Sequence, residues 1–349
     1  MKKKIFSIWS VLLILVVSIA VVVPGCDGGG ADTYALTMAP NPADCGTATD
    51  LTGASSYAAN ATVNIKAVAD PCCRFVDWTA PDGTFGNSTA AETTFIMPAR
   101  DVTVTANFEL TPLDHFKTYW ADWPLEPPPQ WEPPLPVDVQ LKDQFVTINA
   151  TVLGPWLFAN PAEKMHGEVT TPISEPNNHL TFYLIEPWVP PRVWEVEVAN
   201  QFGPSQLLLV GGPFYLAVPT QKGDHDPWEC LDHFLVYDVL DYMGEYPMQD
   251  VYIKDQFFVE GAWTNMYAPE YFAVPAQKIH PPGSAPTPIV DDVHLVFYWL
   301  DGIEPLNMYN LPIINQFGEQ YLDVYESEGN FLGVPSVKTN VDGPWPYGE

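Results

Sequence analysis

Four histidines recur in the last two thirds of this chain, each with a tyrosine four residues on: His115 and Tyr119, His179 and Tyr183, His233 and Tyr237, His294 and Tyr298. Each pair is followed by an Asp/Asn-Gln-Phe triplet, headed in turn by Asp143, Asn200, Asp255 and Asn315. A Pro-x-x-Lys follows, ending in Lys164, Lys222, Lys278 and Lys338. Imidazoles in register are what a metal would use, and lysines on a fixed spacing are what an anion would use. Repetition speaks against the metal, because each histidine would need a ligand set of its own. Strand-end hydrogen bonding is the expected role instead. The lysines lie in a very acidic stretch, so ion pairs with nearby carboxylates are expected of them. A second cluster, "GDHDPWECLDH", holds Asp224, Asp226, Glu229 and Asp232. Oxygen-rich loops suit calcium, but this spacing fits no EF-hand, and a solvated linker is the favoured reading. There is no Gly-x-Ser-x-Gly, His-Glu-x-x-His, phosphate loop or dinucleotide fingerprint. The sequence thus assigns no catalytic residue, and no cofactor beyond that calcium candidate.

The elements that carry these residues read as strands. Aromatics at 13% and 37 prolines favour strands and turns over a helical bundle. In a strand, residues i and i+2 share a face, so each histidine shares a face with its tyrosine. The other face carries Phe116 and Thr118, Leu180 and Phe182, Phe234 and Val236, or Leu295 and Phe297, and reads as core. In the second strand the Asp or Asn falls in the inward register, just before an aromatic anchor. A bare carboxylate there is costly, so its oxygen is expected to take neighbouring backbone N–H groups in a turn. In the third strand the proline, having no N–H, is expected to end the ladder. The first and third copies share Leu-Asp-His-Phe and Lys-Asp-Gln-Phe, whereas the second and fourth share His-Leu and Asn-Gln-Phe-Gly. The array is therefore a pair, duplicated, with halves at 112–223 and 231–340. Proline-rich connectors, "PLEPPPQWEPPLP" and "HPPGSAPTP", separate the copies.

Residues 1–25 read as a targeting segment: Lys2, Lys3 and Lys4, then an almost wholly apolar run to Val23, then Val-Pro-Gly-Cys at 23–26. This is similar to a bacterial lipoprotein signal with Cys26 as the acylated residue; the alternative is an uncleaved anchor helix. Either reading places the remainder outside the cytoplasmic membrane, held there by its N-terminus. A Gly-rich linker occupies 26–33. From 34 to 110, short alternating stretches such as "ATVNIKAVA" and "VTVTANF" predict a small β module. All 43 acidic residues follow Cys26, and the net charge is −29, which repels nucleic acid and anionic lipid.

The module resembles the internalin-type B-repeat of bacterial surface proteins. The resemblance rests on Tyr57-Ala58, Ala61-Thr62-Val63, Phe75-Val76, Trp78, Phe95, Met97-Pro98 and the run Asp101 to Phe108. It implies a β-grasp-like spacer or adhesive unit with no chemistry. The module departs from that pattern at "NPADCG" and "ADPCCR", and a disulfide from Cys45 to Cys72 or Cys73 is expected there. Residues 112–340 resemble an uncharacterised family of extracellular bacterial repeats, on the "DHF", "DQF" or "NQFG" and "VPxxK" signatures. Members of that family often carry one cysteine near the tyrosine end of the first strand and another just before the Asn-Pro or Val-Pro. Those positions are here Thr118, Phe182, Val236 and Phe297, and Ala159, Ala217, Ala273 and Gly333. The resemblance implies that they touch, within each copy, as apolar pairs. The fold expected is all-β: a small β-grasp-like module, then a duplicated sandwich- or barrel-like array of four three-stranded units. The function expected is non-catalytic binding or adhesion to an extracellular ligand or envelope component. The alternatives are a hydrolase acting on an extracellular polymer, with carboxylates meeting between the halves, and a purely structural envelope component.

Overall fold

The computed structural model describes residues 32–186, 192–244, 246–279, 284–303, 306–326 and 329–346. The targeting segment and Cys26 lie outside the described residues. Among those described, no helix is long and apolar enough to cross a membrane.

The first module contains β1 (Thr33–Asn41), β2 (Gly46–Asp50), β3 (Ser56–Ala58), β4 (Thr62–Ala69), β5 (Cys73–Thr79), β6 (Thr84–Phe85), β7 (Glu92–Ile96) and β8 (Val102–Leu110). They form two four-stranded sheets, β3-β1-β8-β5 and β2-β4-β7-β6. Strand β4 alternates between exposed and buried along its length, so one face is apolar. That face needs a cover. The cover is a second sheet rather than a helix, and Val63, Ile65, Trp78, Phe95 and Val104 pack in one buried cluster. The β-grasp-like arrangement expected above is thereby corrected.

Cys45 is bonded to Cys73. Its neighbour Cys72 has a positive φ of 73° and is bonded instead to Cys230, 158 residues away. The left-handed turn at Cys72 precedes the strand that starts at Cys73, and the vicinal pair serves two partners. The second bond ties the module to the array.

The array runs β9 (His115–Asp122), β10 (Val137–Lys142), β11 (Thr147–His166), β12 (Val169–Thr171), β13 (His179–Glu186), β14 (Arg192–Asn200), β15 (Gly203–Lys222), β16 (His233–Met243), β17 (Gln249–Lys254), β18 (Ala262–Ile279), β19 (His294–Asp301), β20 (Leu306–Asn315), β21 (Gly318–Glu326) and β22 (Gly329–Pro346). Eight of these close a ring. In the order β9, β11, β13, β15, β16, β18, β19, β22 each pairs antiparallel with the next, and β22 pairs back to β9. A closed antiparallel sheet of eight strands is a barrel just wide enough for side chains to fill.

Three layers fill this one. The lowest pairs Phe116 with Pro161, Leu180 with Pro219, Phe234 with Pro275 and Leu295 with Pro335. The middle pairs Thr118 with Ala159, Phe182 with Ala217, Val236 with Ala273 and Phe297 with Gly333. These are the positions that the family resemblance set against one another. Gly333 has to be small, because a Cβ there would lie 2.6 Å from the Phe297 ring. Phe182 and Phe297 meet across the interior with ring centroids 5.4 Å apart.

The prolines do not stop their strands, as expected above. Each lies opposite the opening strand of its own copy, and the strand continues through its lysine. What stops is the ladder on the other side. The last pairs to the following copy's opening strand are Ala159–Leu180, Ala217–Phe234, Ala273–Leu295 and Gly333–Phe116. A residue without N–H is tolerated where one neighbour has ended.

Nor are the four copies separate three-stranded bodies. Their long strands leave the ring at bulges beside Pro155, Pro213 and Pro269 and fold back with their hairpin partners. Those partners then cross to other copies. Strand β10 pairs with the tail of β18, β17 with the tail of β11, β14 with the tail of β22, and β20 with the tail of β15. The first copy thus exchanges with the third, and the second with the fourth. The hairpins cover the outside of the barrel, so the opening strands are buried on both faces.

The module sits against the histidine end. A small cavity of about 30 Å³ separates Cys72, Leu110 and Pro112 from Phe116, Asp232 and Phe234. The other end of the barrel is its mouth.

Candidate functional site

The repeated letters are interior fasteners. Asp143 Oδ1 accepts the N–H groups of Phe145 and Val146, both at 2.8 Å, and Asp255 Oδ1 accepts those of Phe257 and Phe258 at the same distance. Asn200 and Asn315 accept the N–H groups of Phe202 and Phe317 at 3.0 and 2.9 Å. The remaining side-chain atom reaches a tyrosine two copies away. Tyr237 donates to Asp143 Oδ2 and Tyr119 to Asp255 Oδ2, both at 2.6 Å. With asparagine the direction reverses: Asn200 donates to the Tyr298 hydroxyl at 2.8 Å and Asn315 to that of Tyr183 at 2.7 Å. The tyrosine proton then needs another acceptor. Gln206 takes it from Tyr298 at 2.6 Å, and Gln320 from Tyr183 at 2.9 Å. The two variants of the copy differ by this one proton.

The lysines act between successive copies. Lys164 Nζ lies 4.6 Å from the Phe202 ring centre, Lys222 4.7 Å from Phe257, Lys278 4.4 Å from Phe317, and Lys338 5.9 Å from Phe145. The last contact returns from the fourth copy to the first. The ion pairs expected of these lysines are absent among the described residues; the pairs that form involve Lys66, Arg74, Arg100 and Lys117. The nearest repeated carboxylates are already engaged by backbone and tyrosine, and an aromatic face takes the ammonium instead. Burial pushes Lys164 and Lys222 down to about 8 and Lys278 to about 7.

Lys278→Met is accordingly expected to raise stability by about 2 kcal/mol at pH 7. The folded pKa of Lys278 lies below the unfolded value of about 10.4. Between the two values the unfolded chain binds more protons, so the penalty this residue imposes on the fold shrinks as pH rises from 7 towards 10. Urea titrations at pH 7, 8.5 and 10 should show a shallower rise in the variant than in the parent.

The histidines occupy four separate positions around the barrel. Gln144 bonds to His294 at 2.6 Å, and Gln201 bonds to His115. Burial, helped by the adjacent lysines, pushes His115 and His233 to about 3, His179 to about 2 and His294 to about 4. All four are neutral near pH 7. Among the described residues no group of three or more His, Cys, Asp or Glu is placed to hold a metal ion. Asp224, Asp226 and Glu229 are exposed. Asp232 is buried and accepts the N–H groups of Val290 at 2.9 Å and Asp291 at 3.1 Å. Asn178 holds the Glu229 backbone through both its donor and its acceptor. That segment is fastened by amides.

The mouth lies outside the repeated letters; of the tryptophans that could by residue type form a sugar- or peptide-binding platform, Trp120 lies here. Its layer is one step above the middle one and pairs Trp120 with Leu157, Leu184 with Tyr215, Asp238 with Tyr271 and Trp299 with Phe331. The rings form a circuit. Centroid separations are 5.6 Å for Trp120–Trp156, 6.1 Å for Trp156–Tyr215, 5.6 Å for Tyr215–Tyr271, 5.0 Å for Tyr271–Phe331 and 6.1 Å for Phe331–Trp120. Trp299 leans on Phe331 at 5.2 Å. Trp156 is 41% exposed and Leu184 37%, so the circuit is a surface as well as a plug. Asp238, two residues beyond Val236, points the same way as the lumen residues. Burial first, and the charge of Glu270 second, raise it to about 6. The period-2 pattern could have placed Asp238 on the Phe234 face, but it gives no sign that this face becomes the inside of a barrel.

Two family matches bear on this architecture. Residues 36–112 match the divergent InlB B-repeat domain. The B-repeat is thus the two-sheet module beneath the barrel. Residues 190–335 match a repeat of unknown function (DUF7450), which begins within the second copy and ends in the fourth. No curated protein and no solved structure matches the chain.

Proposed function

We propose that this chain is an exported, lipid-anchored cell-surface protein that binds an extracellular ligand without catalysis, through the barrel mouth. Cys26 carries the lipid, the B-repeat is the spacer, and the array is one three-stranded building block used four times. The observation that carries the reading is the aromatic mouth at the end of the barrel remote from the B-repeat. Fastener residues are buried, so the repeats supply a rigid frame and leave the mouth as the exposed feature with ligand-like chemistry. An acidic chain of net charge −29 does not suit nucleic acid as the ligand.

The second reading, a hydrolase of an extracellular polymer, draws on Asp238. A carboxyl raised to about 6 beside a second carboxylate is the form a general acid takes. One experiment separates the two. Full-length protein, purified from the membrane fraction in detergent, is sedimented with peptidoglycan, cellulose and chitin. Retention on one of them that falls at least about 10-fold in Trp156→Ala, with no soluble fragments released, supports binding. Release of fragments that stops in Asp238→Asn supports the hydrolase. Retention indifferent to Trp156 removes the mouth from the argument. Intact-mass measurement of the same preparation should show acyl chains lost in Cys26→Ser.

A further inference from the structure

Among the rings of the mouth lies a carboxyl group, and among the described residues it has no counter-charge. Asp238 shares its layer with Trp120, Tyr215, Tyr271, Trp299 and Phe331. Burial and the charge of Glu270 act on it, and among the described residues no hydrogen-bond donor and no basic side chain does. The buried lysine of the first barrel strand, Lys117, is directed elsewhere: its ammonium is 3.0 Å from Glu326 and sits over the Tyr119 ring. Tyr215 and Tyr271 hydrogen-bond to one another. A half-buried carboxylate held in this way is unfavourable for the protein by itself. The faces of aromatic rings carry negative potential and attract cations, most strongly where water is excluded. Rings and carboxylate therefore favour the same kind of guest. A neutral sugar would use the rings and could donate hydroxyls to the acid, but it would leave the charge without a counter-charge. An anion would be repelled by Asp238 and Glu270 together.

We infer that the mouth takes an alkylammonium group, as carried by a lysine side chain of a partner protein, with the alkyl stem on the Trp120 and Trp156 rings and the ammonium on Asp238. This deepens the binding reading given above and rests on it. The charged and titratable groups facing the site are Asp238, Glu270, Tyr215 and Tyr271. Of these, Asp238 is the group that changes charge near neutrality, so binding should weaken as pH falls below about 6.

The test uses full-length protein in detergent and follows tryptophan indole N–H resonances during titration with n-butylammonium. n-Butanol is the neutral analogue, and cellohexaose is an uncharged polymer probe. Butylammonium is expected to bind at least about 10-fold more tightly than butanol. Asp238→Asn should remove that preference and leave the weak butanol binding unchanged. Glu270→Gln should reduce it about 2- to 3-fold, and both variants should melt within a few degrees of the parent. Equal binding of butylammonium and butanol, or an Asp238→Asn variant that keeps the preference, overturns the inference. Binding of cellohexaose that is lost in Trp156→Ala, with no response to butylammonium, overturns the cation but retains the mouth. No response to any of the three overturns both.

Discussion

Replacing Lys117 with methionine is expected to destabilise the protein by about 3–5 kcal/mol. Lys117 and Glu326 are each almost wholly buried, and they meet at 3.0 Å across 209 residues of sequence. Lys117 also donates to the Thr118 carbonyl at 3.1 Å. Glu326 has little else: Oε1 takes the Ile303 N–H at 3.3 Å, and Oε2 has no partner. Removing the lysine leaves a buried carboxylate between barrel and hairpins without its counter-charge. The cost arises from the orphan, so removing both partners should be mild. Lys117→Met with Glu326→Leu is expected within about 2 kcal/mol of the parent, giving a strongly non-additive cycle. Urea denaturation of the four proteins decides it. A single variant within 1 kcal/mol of the parent would mean that Glu326 is already neutral or hydrated.

Cys230→Ser should cost nearly as much, about 3–5 kcal/mol, by a different route. The Cys72–Cys230 bond closes a loop of 158 residues, and opening it returns that freedom to the unfolded chain. The B-repeat and the barrel have separate buried cores. Without the bond, residues 111–114 and the surfaces around the small cavity at Phe116 and Phe234 remain to couple them. Calorimetry is expected to show one transition in the parent and two in the variant. Limited proteolysis should also gain a cleavage between Leu110 and His115. Cys45→Ser acts within the B-repeat alone and should leave the barrel transition where it was. A single unshifted transition in Cys230→Ser would show that packing, not the bond, joins the two bodies.

How far each of these features was legible differs, and for identifiable reasons. The strand character of "HLTFYLIE" follows from its alternation, and so does the shared face of His179 and Tyr183. The turn at each Asp/Asn-Gln-Phe was legible because it is local: the carboxyl or amide oxygen bonds two or three residues on. The destination of the other atom was not. Asp255 meets Tyr119 from 136 residues away, and nothing in either neighbourhood encodes the distance. The lysines were misread for a related reason. Sequence supplies a count of carboxylates but not which of them are already taken.

The chain's own letters determined an all-β protein, a small module ahead of an array, the copies within it, and the face on which each repeated side chain lies. These are consequences of a period of two and of local hydrogen bonding, which act over a few residues. Tertiary structure alone decided that eight strands close on themselves, that hairpins exchange between first and third and between second and fourth copies, that Cys72 reaches Cys230, and that Asp238 joins the rings of an aromatic mouth. Closure is set by which strands find each other, and a strand buried on both faces carries no mark in its sequence of which face will be the inside.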